Sequence, residues 1–268
     1  MARQSQSHLT PHRLSVFGLP VRSYRIPGHE PLNAQLRALA HRHERTSPGL
    51  AVSSGHAYQS SKTLFAPKDA PEHDAAADAV NQLQAWILMA YRQLRSEIYG
   101  METADTWRPS AMDGWFNIHR PGGFYAAHNH LVEGWHWSGV YYVQADGLPK
   151  SQGRLIFEDR IYDHTRGPFA LSRLPLVGAS HTYEHYFQPE TGSLILFPAS
   201  LYHRVEPFAT TSERISIAFD VCDADLRWRL DERPESRPAV SDWLRHYFLG
   251  LYLMAVRMRG LLGRSDSR

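Results

Sequence analysis

From Asp113 onward the chain is a succession of short runs: WFNIH, FYAAHNH, SGVYYVQ, GRLIFED, YEHYF, SLILF, LYHRVEP and ERISIAFDV. Each is rich in aromatic and β-branched residues, and Gly, Pro, Asp or polar turns separate them. About eight strands therefore fall within roughly a hundred residues, with no helical pattern between them. Such short strands cannot bury an apolar face singly. Evenly spaced and uninterrupted by helices, they predict a double-sheet jelly roll, a double-stranded β-helix of cupin-like architecture. The expected class is mainly β with flanking helices (α+β).

The flanks carry the helical signals. Residues 31–43 (PLNAQLRALAHRH) predict a short helix with Pro31 at its first position. Residues 71–99 form the clearest helix, opened by Pro71 and closed by Gly100. Its apolar positions Ala76, Val80, Leu83, Ile87, Ala90, Leu94 and Ile98 step by three or four, so one face packs against a sheet. Ser241 is the expected N-cap of an amphipathic helix over residues 241–259. Residues 1–15 are polar and expected to be a loose tail. The rest, 16–268, reads as one domain: a helical cover over 30–100, a jelly-roll core over 113–222 and the helix at 241–259. The insertion from Arg160 to His185 is too long for a tight hairpin, and is expected to form a lid or specificity element over the barrel mouth.

Composition narrows the function. A formal net charge of +2 gives no electrostatic case for a nucleic-acid partner. The single cysteine, Cys222, excludes an internal disulfide and a thiolate zinc site, and suits a reducing, cytoplasmic location. The N-terminal residues lack the apolar core of a secretory signal. The most apolar stretch, Trp243 to Met258, is interrupted by Arg245, His246 and Arg257, so it is expected to dock rather than span a membrane. Helical surfaces at 71–99 and 241–259 could support a homodimer. Sixteen histidines direct attention to metal chemistry.

His128 and His130 are two apart on an expected strand, so their side chains face the same way. His203 lies on a later strand that a jelly roll brings beside the first. Three imidazoles on one face leave the remaining positions of a metal open for a cosubstrate and dioxygen. The same pattern, taken alone, also suits hydrogen-bonded or surface histidines. A second constellation follows eleven residues after His203, where ERISIAF alternates and puts Arg214 and Ser216 on one face. An arginine bound for the core needs an anionic partner. A dicarboxylate that chelates the metal at one end would provide it through a bidentate pair, with the serine hydroxyl adding a bond. The competing explanation is an internal ion pair with Asp220 or Glu158.

Taken in order, WFNIHRPGGFYAAHNHLVEGWHWSGVYYV, GRLIFEDR, GSLILFPASLYHRVEPF and ERISIAF resemble a bacterial family of 2-oxoglutarate/Fe(II)-dependent oxygenases over roughly Trp115 to Val221. HAYQSSKTLF at 56–65 is similar to a segment that precedes this core in the family. The resemblance implies iron(II) ligation by His128, His130 and His203, and 2-oxoglutarate capture by Arg214 with Ser216. Asn117 and Tyr142 are further candidates for the cofactor pocket, though ordinary barrel packing would also explain them. Most members of the wider superfamily use two histidines and a carboxylate. Here His130 stands in the carboxylate's slot, unless Glu133 reaches in from the following loop. The implied activity is oxidation, by default hydroxylation, of a small-molecule substrate with dioxygen, releasing succinate and CO2. A 2-oxoglutarate-independent cupin dioxygenase and a non-catalytic cupin-like binding protein are the alternatives. Trp115, Trp135 and Trp137 are candidate pocket walls, and His136, Arg160 and His181 are candidate contacts for a polar substrate group.

Overall fold

The computed structural model describes residues 9–50, 56–65, 75–131, 134–159 and 184–226. In chain order these form β1 (His12–Val16), β2 (Leu19–Arg25), α1 (His29–Thr46), β3 (Ala57–Gln59), α2 (Ala75–Tyr99), β4 (Ala111–His119) and β5 (Tyr125–His128). There follow β6 (Trp137–Gln144), β7 (Leu155–Glu158), β8 (Glu184–Phe187), β9 (Ser193–Pro198), β10 (Tyr202–Val205) and β11 (Arg214–Cys222). The strands make two antiparallel sheets, one ordered β1-β2-β9-β6-β11-β4-β3 and the other β5-β10-β7-β8. Contacts divide the chain into two units, Met1–Asp223 and Ala224–Arg268, and every one of these elements lies in the first.

This is the expected mainly-β jelly roll, and β4 to β11 are the eight runs read from the sequence. Three strands were not legible there. β1 and β2 form a hairpin around Phe17 and Gly18, both with positive φ (52° and 80°). That is the two-residue geometry that matches strand twist, but it is usually signalled by Asn-Gly or Asp-Gly. The strand β1 also falls largely within the stretch expected to be loose. It pairs with β2, which in turn pairs with β9, and Val16 is buried in the core, so backbone hydrogen bonds and one apolar anchor tie it down.

The helices cover the outer face of the larger sheet. In α2 the apolar stripe is buried as its spacing predicts, at Val80, Leu83, Ile87, Ala90 and Leu94, and Gly100 ends the helix with a positive φ of 61°. The helix α1 starts at His29, two residues before Pro31, and buries Leu32, Asn33, Leu36, Leu39 and Ala40. Tyr141 of β6 donates to Asn33 (2.6 Å), and Trp137 donates to the Tyr99 hydroxyl (3.1 Å). Arg95 of α2 and Asp223, just after β11, form a buried ion pair at 2.6 Å. The space between the sheets has two characters. Tyr142, Phe157, Ile195, Phe197, Leu201 and Val205 belong to an apolar core. The other part is a cavity lined by polar and apolar side chains together.

The expected lid, almost all of the Arg160–His185 insertion, lies outside the described residues, as do Glu133 and the helix expected over 241–259. Among the described residues no helix is long and apolar enough to cross a membrane.

Candidate active site

The cavity encloses about 370 Å³. Its walls are β4, β11 and β6 of the larger sheet, facing β5 and β10 of the smaller one. His128, His130 and His203 all line it. His203 and His128 are directly paired across β10 and β5. Between that pair and the Val205–Tyr125 pair, β5 carries one residue more than β10, a bulge of the kind that re-aims side chains. His130 is not on the strand. It lies two residues past the end of β5, anchored by its backbone N–H to the Ala199 carbonyl (2.9 Å).

The three rings converge, with centroids 4.4 to 5.3 Å apart, and one nitrogen from each lies within 4.8 Å of the others. Metal–imidazole bonds are about 2.1 Å, so modest ring rotations would bring the three nitrogens onto one ion. What lies behind each ring favours that use. His128 Nδ1 is 2.8 Å from the Ala126 carbonyl and His203 Nδ1 is 2.9 Å from the Leu201 carbonyl. A carbonyl only accepts, so both Nδ1 atoms carry the proton and both Nε2 lone pairs face the cavity. His130 Nδ1 is 3.0 Å from Asp220 Oδ2. That pair is not aligned as a hydrogen bond, and neither atom makes one elsewhere, so the carboxylate acts on the ring chiefly through its charge. Asp220 is itself held by Ser138, its cross-strand partner, whose hydroxyl donates at 2.6 Å. Burial pushes the His128 and His203 pKa values below the usual histidine range, and for His203 the neighbouring His128 and His130 add to the effect. Neutral rings with free lone pairs are what a metal ion requires.

Arg214 and Ser216, on the cavity face of β11, are each 1% exposed. The two internal ion pairs that could have explained Arg214 are absent. Asp220 faces Ser138 and His130, and Glu158 pairs with Arg204 at 2.7 Å. Among the described residues no carboxylate pairs with the Arg214 guanidinium. Its neighbours are the Tyr142 hydroxyl (3.4 Å), the Tyr142 ring (5.0 Å to the centroid) and His119 Nδ1 (3.5 Å), and its Nε makes no hydrogen bond. A buried cation with such loose contacts is costly unless an anion joins it. Tyr142 lies behind Arg214 and does not line the cavity, so it supports the arginine rather than touching what the cavity holds.

Asn117 lines the cavity opposite Ser216 in the β4–β11 register. The Tyr125 hydroxyl lies 2.8 Å from Asn117 Oδ1 and 3.0 Å from Gln59 Oε1. One hydroxyl proton serves only one of these oxygens, so the other amide is turned to offer its nitrogen. Burial raises the Tyr125 pKa, which keeps that proton in place. Gln59 and Lys62 come from the segment at 56–65, and the Lys62 ammonium stands 4.8 Å over the Trp115 ring. Of the three tryptophans considered, Trp115 alone lines this cavity. Trp137 packs toward α2, and His136 accepts the Asp223 backbone N–H. Arg160 and His181 lie outside the described residues. Sequence reasoning missed His119, Tyr125, Gln59, Lys62 and Asp220 as parts of the site. For His119 a signal existed, since it shares the two-residue alternation of Trp115 and Asn117 along β4.

Residues 113–220 match the model of the family described as "Putative 2OG-Fe(II) oxygenase". Over that segment the chain resembles a 2OG-Fe(II) oxygenase. The family so described is one of oxidoreductases that use iron(II) and 2-oxoglutarate. Its fold is similar to that of a prolyl hydroxylase from Trichoplax adhaerens, solved with a hypoxia inducible factor oxygen degradation domain peptide. That match is 11% identical, covers 81% of this chain and 87% of that one, and has a TM-score of 0.53. A Pseudomonas putida prolyl-4-hydroxylase is 16% identical over 76% of this chain and 92% of that chain (TM-score 0.49). HygX from Streptomyces hygroscopicus, with nickel and 2-oxoglutarate bound, is 14% identical over 75% and 82% (TM-score 0.46). No curated protein sequence matches the chain.

Proposed function

We propose that the protein is a 2-oxoglutarate/Fe(II)-dependent oxygenase that hydroxylates a small-molecule substrate, with His128, His130 and His203 as its iron ligands and Arg214 as the clamp for the distal carboxylate of 2-oxoglutarate. The observation that carries the reading is the buried, acid-free guanidinium of Arg214 in the same cavity as three converging imidazoles. Iron with 2-oxoglutarate supplies the activation of dioxygen, coupled to decarboxylation of the cosubstrate to succinate and CO2. The chain's own part is positioning and exclusion of water. Arg214 offers a planar fork that matches a carboxylate, and Ser216 and Asn117 stand on neighbouring strands to complete its hydrogen bonding. Tyr142 holds the fork from behind. Asp220 sets a negative charge behind His130, offsetting the charge lost where most relatives carry a carboxylate ligand. A cavity of about 370 Å³ is at the small end of ligand sites, which favours a compact substrate entering along Trp115 and Lys62.

The test is an anaerobic titration of the metal-free protein with iron(II) and then 2-oxoglutarate, followed by the visible charge-transfer absorption of the chelate. The wild type should develop the band, Arg214→Ala should need at least tenfold more 2-oxoglutarate, and His130→Ala should lose iron affinity. Iron binding without a band would sink the clamp assignment. Succinate release with small-molecule candidates, against peptides as controls, then reads the substrate class.

A further inference from the structure

His119 is buried with no exposure, lines the cavity and stands directly opposite Arg214 in the β4–β11 register. Its Nδ1 is 3.5 Å from Arg214 Nη1. A guanidinium has only protons to offer, so the ring nitrogen facing it must be the one that carries a lone pair. Burial, with Arg214 beside it, drives the His119 pKa well below the usual range, and the ring is neutral. A neutral imidazole whose Nδ1 accepts carries its proton on Nε2. That Nε2 is buried and makes no hydrogen bond. Two donors on adjacent strands, Arg214 Nε and His119 Nε2–H, are thus both buried and both without an acceptor. Donors left in that state are costly, which points to an acceptor that belongs in the site.

We propose that His119 is a further cofactor-binding residue, whose Nε2–H donates to the distal carboxylate of 2-oxoglutarate beside Arg214. The inference rests on the reading of Arg214 as the clamp. Two neighbouring donors on one carboxylate make the pocket selective for a dicarboxylate over a 2-oxo monocarboxylate. The arrangement also holds Arg214: His119 Nδ1 accepts from it on one side and the Tyr142 hydroxyl on the other. The competing use of the Nε2 proton is a contact with the Tyr125 ring, which meets His119 edge-on at 4.8 Å. In that case the proton would ignore the cosubstrate.

The experiment is the anaerobic dissociation constant of the iron-loaded protein for 2-oxoglutarate and for 2-oxobutyrate, which lacks the distal carboxylate. Wild type, His119→Phe and His119→Gln are compared, and ring-nitrogen NMR of the wild-type histidines is recorded with and without 2-oxoglutarate. Expected are a loss of about tenfold for 2-oxoglutarate in His119→Phe, no change for 2-oxobutyrate, and partial recovery in His119→Gln, which restores an N–H donor. The His119 Nε2–H resonance should move when 2-oxoglutarate is added, a readout that does not depend on either variant folding. Equal losses for both ligands, no loss at all, or an unmoved resonance overturns the proposal. If the wild type itself fails to prefer 2-oxoglutarate over 2-oxobutyrate, the clamp reading of Arg214 fails instead.

Discussion

At the scale of single residues, the proposed all-histidine ligand set departs from the commoner two-histidine, one-carboxylate pattern, and the surroundings of His130 give that departure a local physical answer. The third imidazole, His130, has a carboxylate immediately behind it, 3.0 Å away at Asp220. With His130 as the proposed ligand, the negative charge is moved outward by one side chain rather than lost. A carboxylate in that position favours a cation on the far side of the ring through its charge. Asp220→Asn keeps the shape and the hydrogen bond from Ser138 but removes the charge. Iron(II) affinity should fall by about 10- to 100-fold, measured by competition with a chelator, while the melting temperature of the metal-free protein stays close to wild type. An unchanged affinity would make Asp220 a packing residue alone.

Elements set how close the site's strands can come. Gly139 of β6 lies opposite Phe219 of β11 in the register, and the aromatic ring lies over the position where a Cβ would stand. An added methyl would meet the Phe219 ring and come within 2.6 Å of the Ile195 carbonyl on β9. The backbone oxygen cannot yield as a flexible side chain would. Gly139→Ala should therefore destabilise the fold by about 1–3 kcal/mol, seen as a lower denaturation midpoint. It should also displace β11, and with it Arg214, so that 2-oxoglutarate affinity drops in the folded fraction.

For the whole molecule, the buried histidines make stability depend on pH with a definite sign. His119, His128 and His203 have pKa values lowered by burial. In the unfolded chain they titrate near the ordinary value of about 6.5. Below that pH the unfolded state binds more protons than the folded one, so stability falls as pH falls. Carboxylates such as Glu97 and Glu44, held low by hydrogen bonds from Arg22 and Arg120, add to the loss further into acid. The melting temperature of the metal-free protein should be flat from pH 8 to about 7 and decline below about 6.5. A melting temperature that rose on acidification would contradict the neutral-imidazole picture. His119→Phe should make the decline shallower, because one of the groups that drives it is gone.

Much of this was written in local sequence. Period-two alternation is a property of a single strand, so the eight runs after Asp113, the shared face of Arg214 with Ser216 and the stripe along α2 could be read residue by residue. Two histidines followed by a third, then an arginine and a serine, were consistent with a metal site and a dicarboxylate clamp, and the family resemblance over the same strands gave that pattern its chemistry. What local pattern does not encode is which strands meet and in what register. The β1–β2 hairpin has no Asn-Gly or Asp-Gly signal, and its place depends on the pairing of β2 with β9. That Asp220 stands behind His130 rather than beside Arg214, and that His119 faces Arg214 across two strands, follows from the pairing of β11 with both β4 and β6. The sequence determined the kinds of group the site would contain. Tertiary packing decided which donors were left without partners, because burial and hydrogen bonding are properties of neighbours that the chain brings together only when the sheets close.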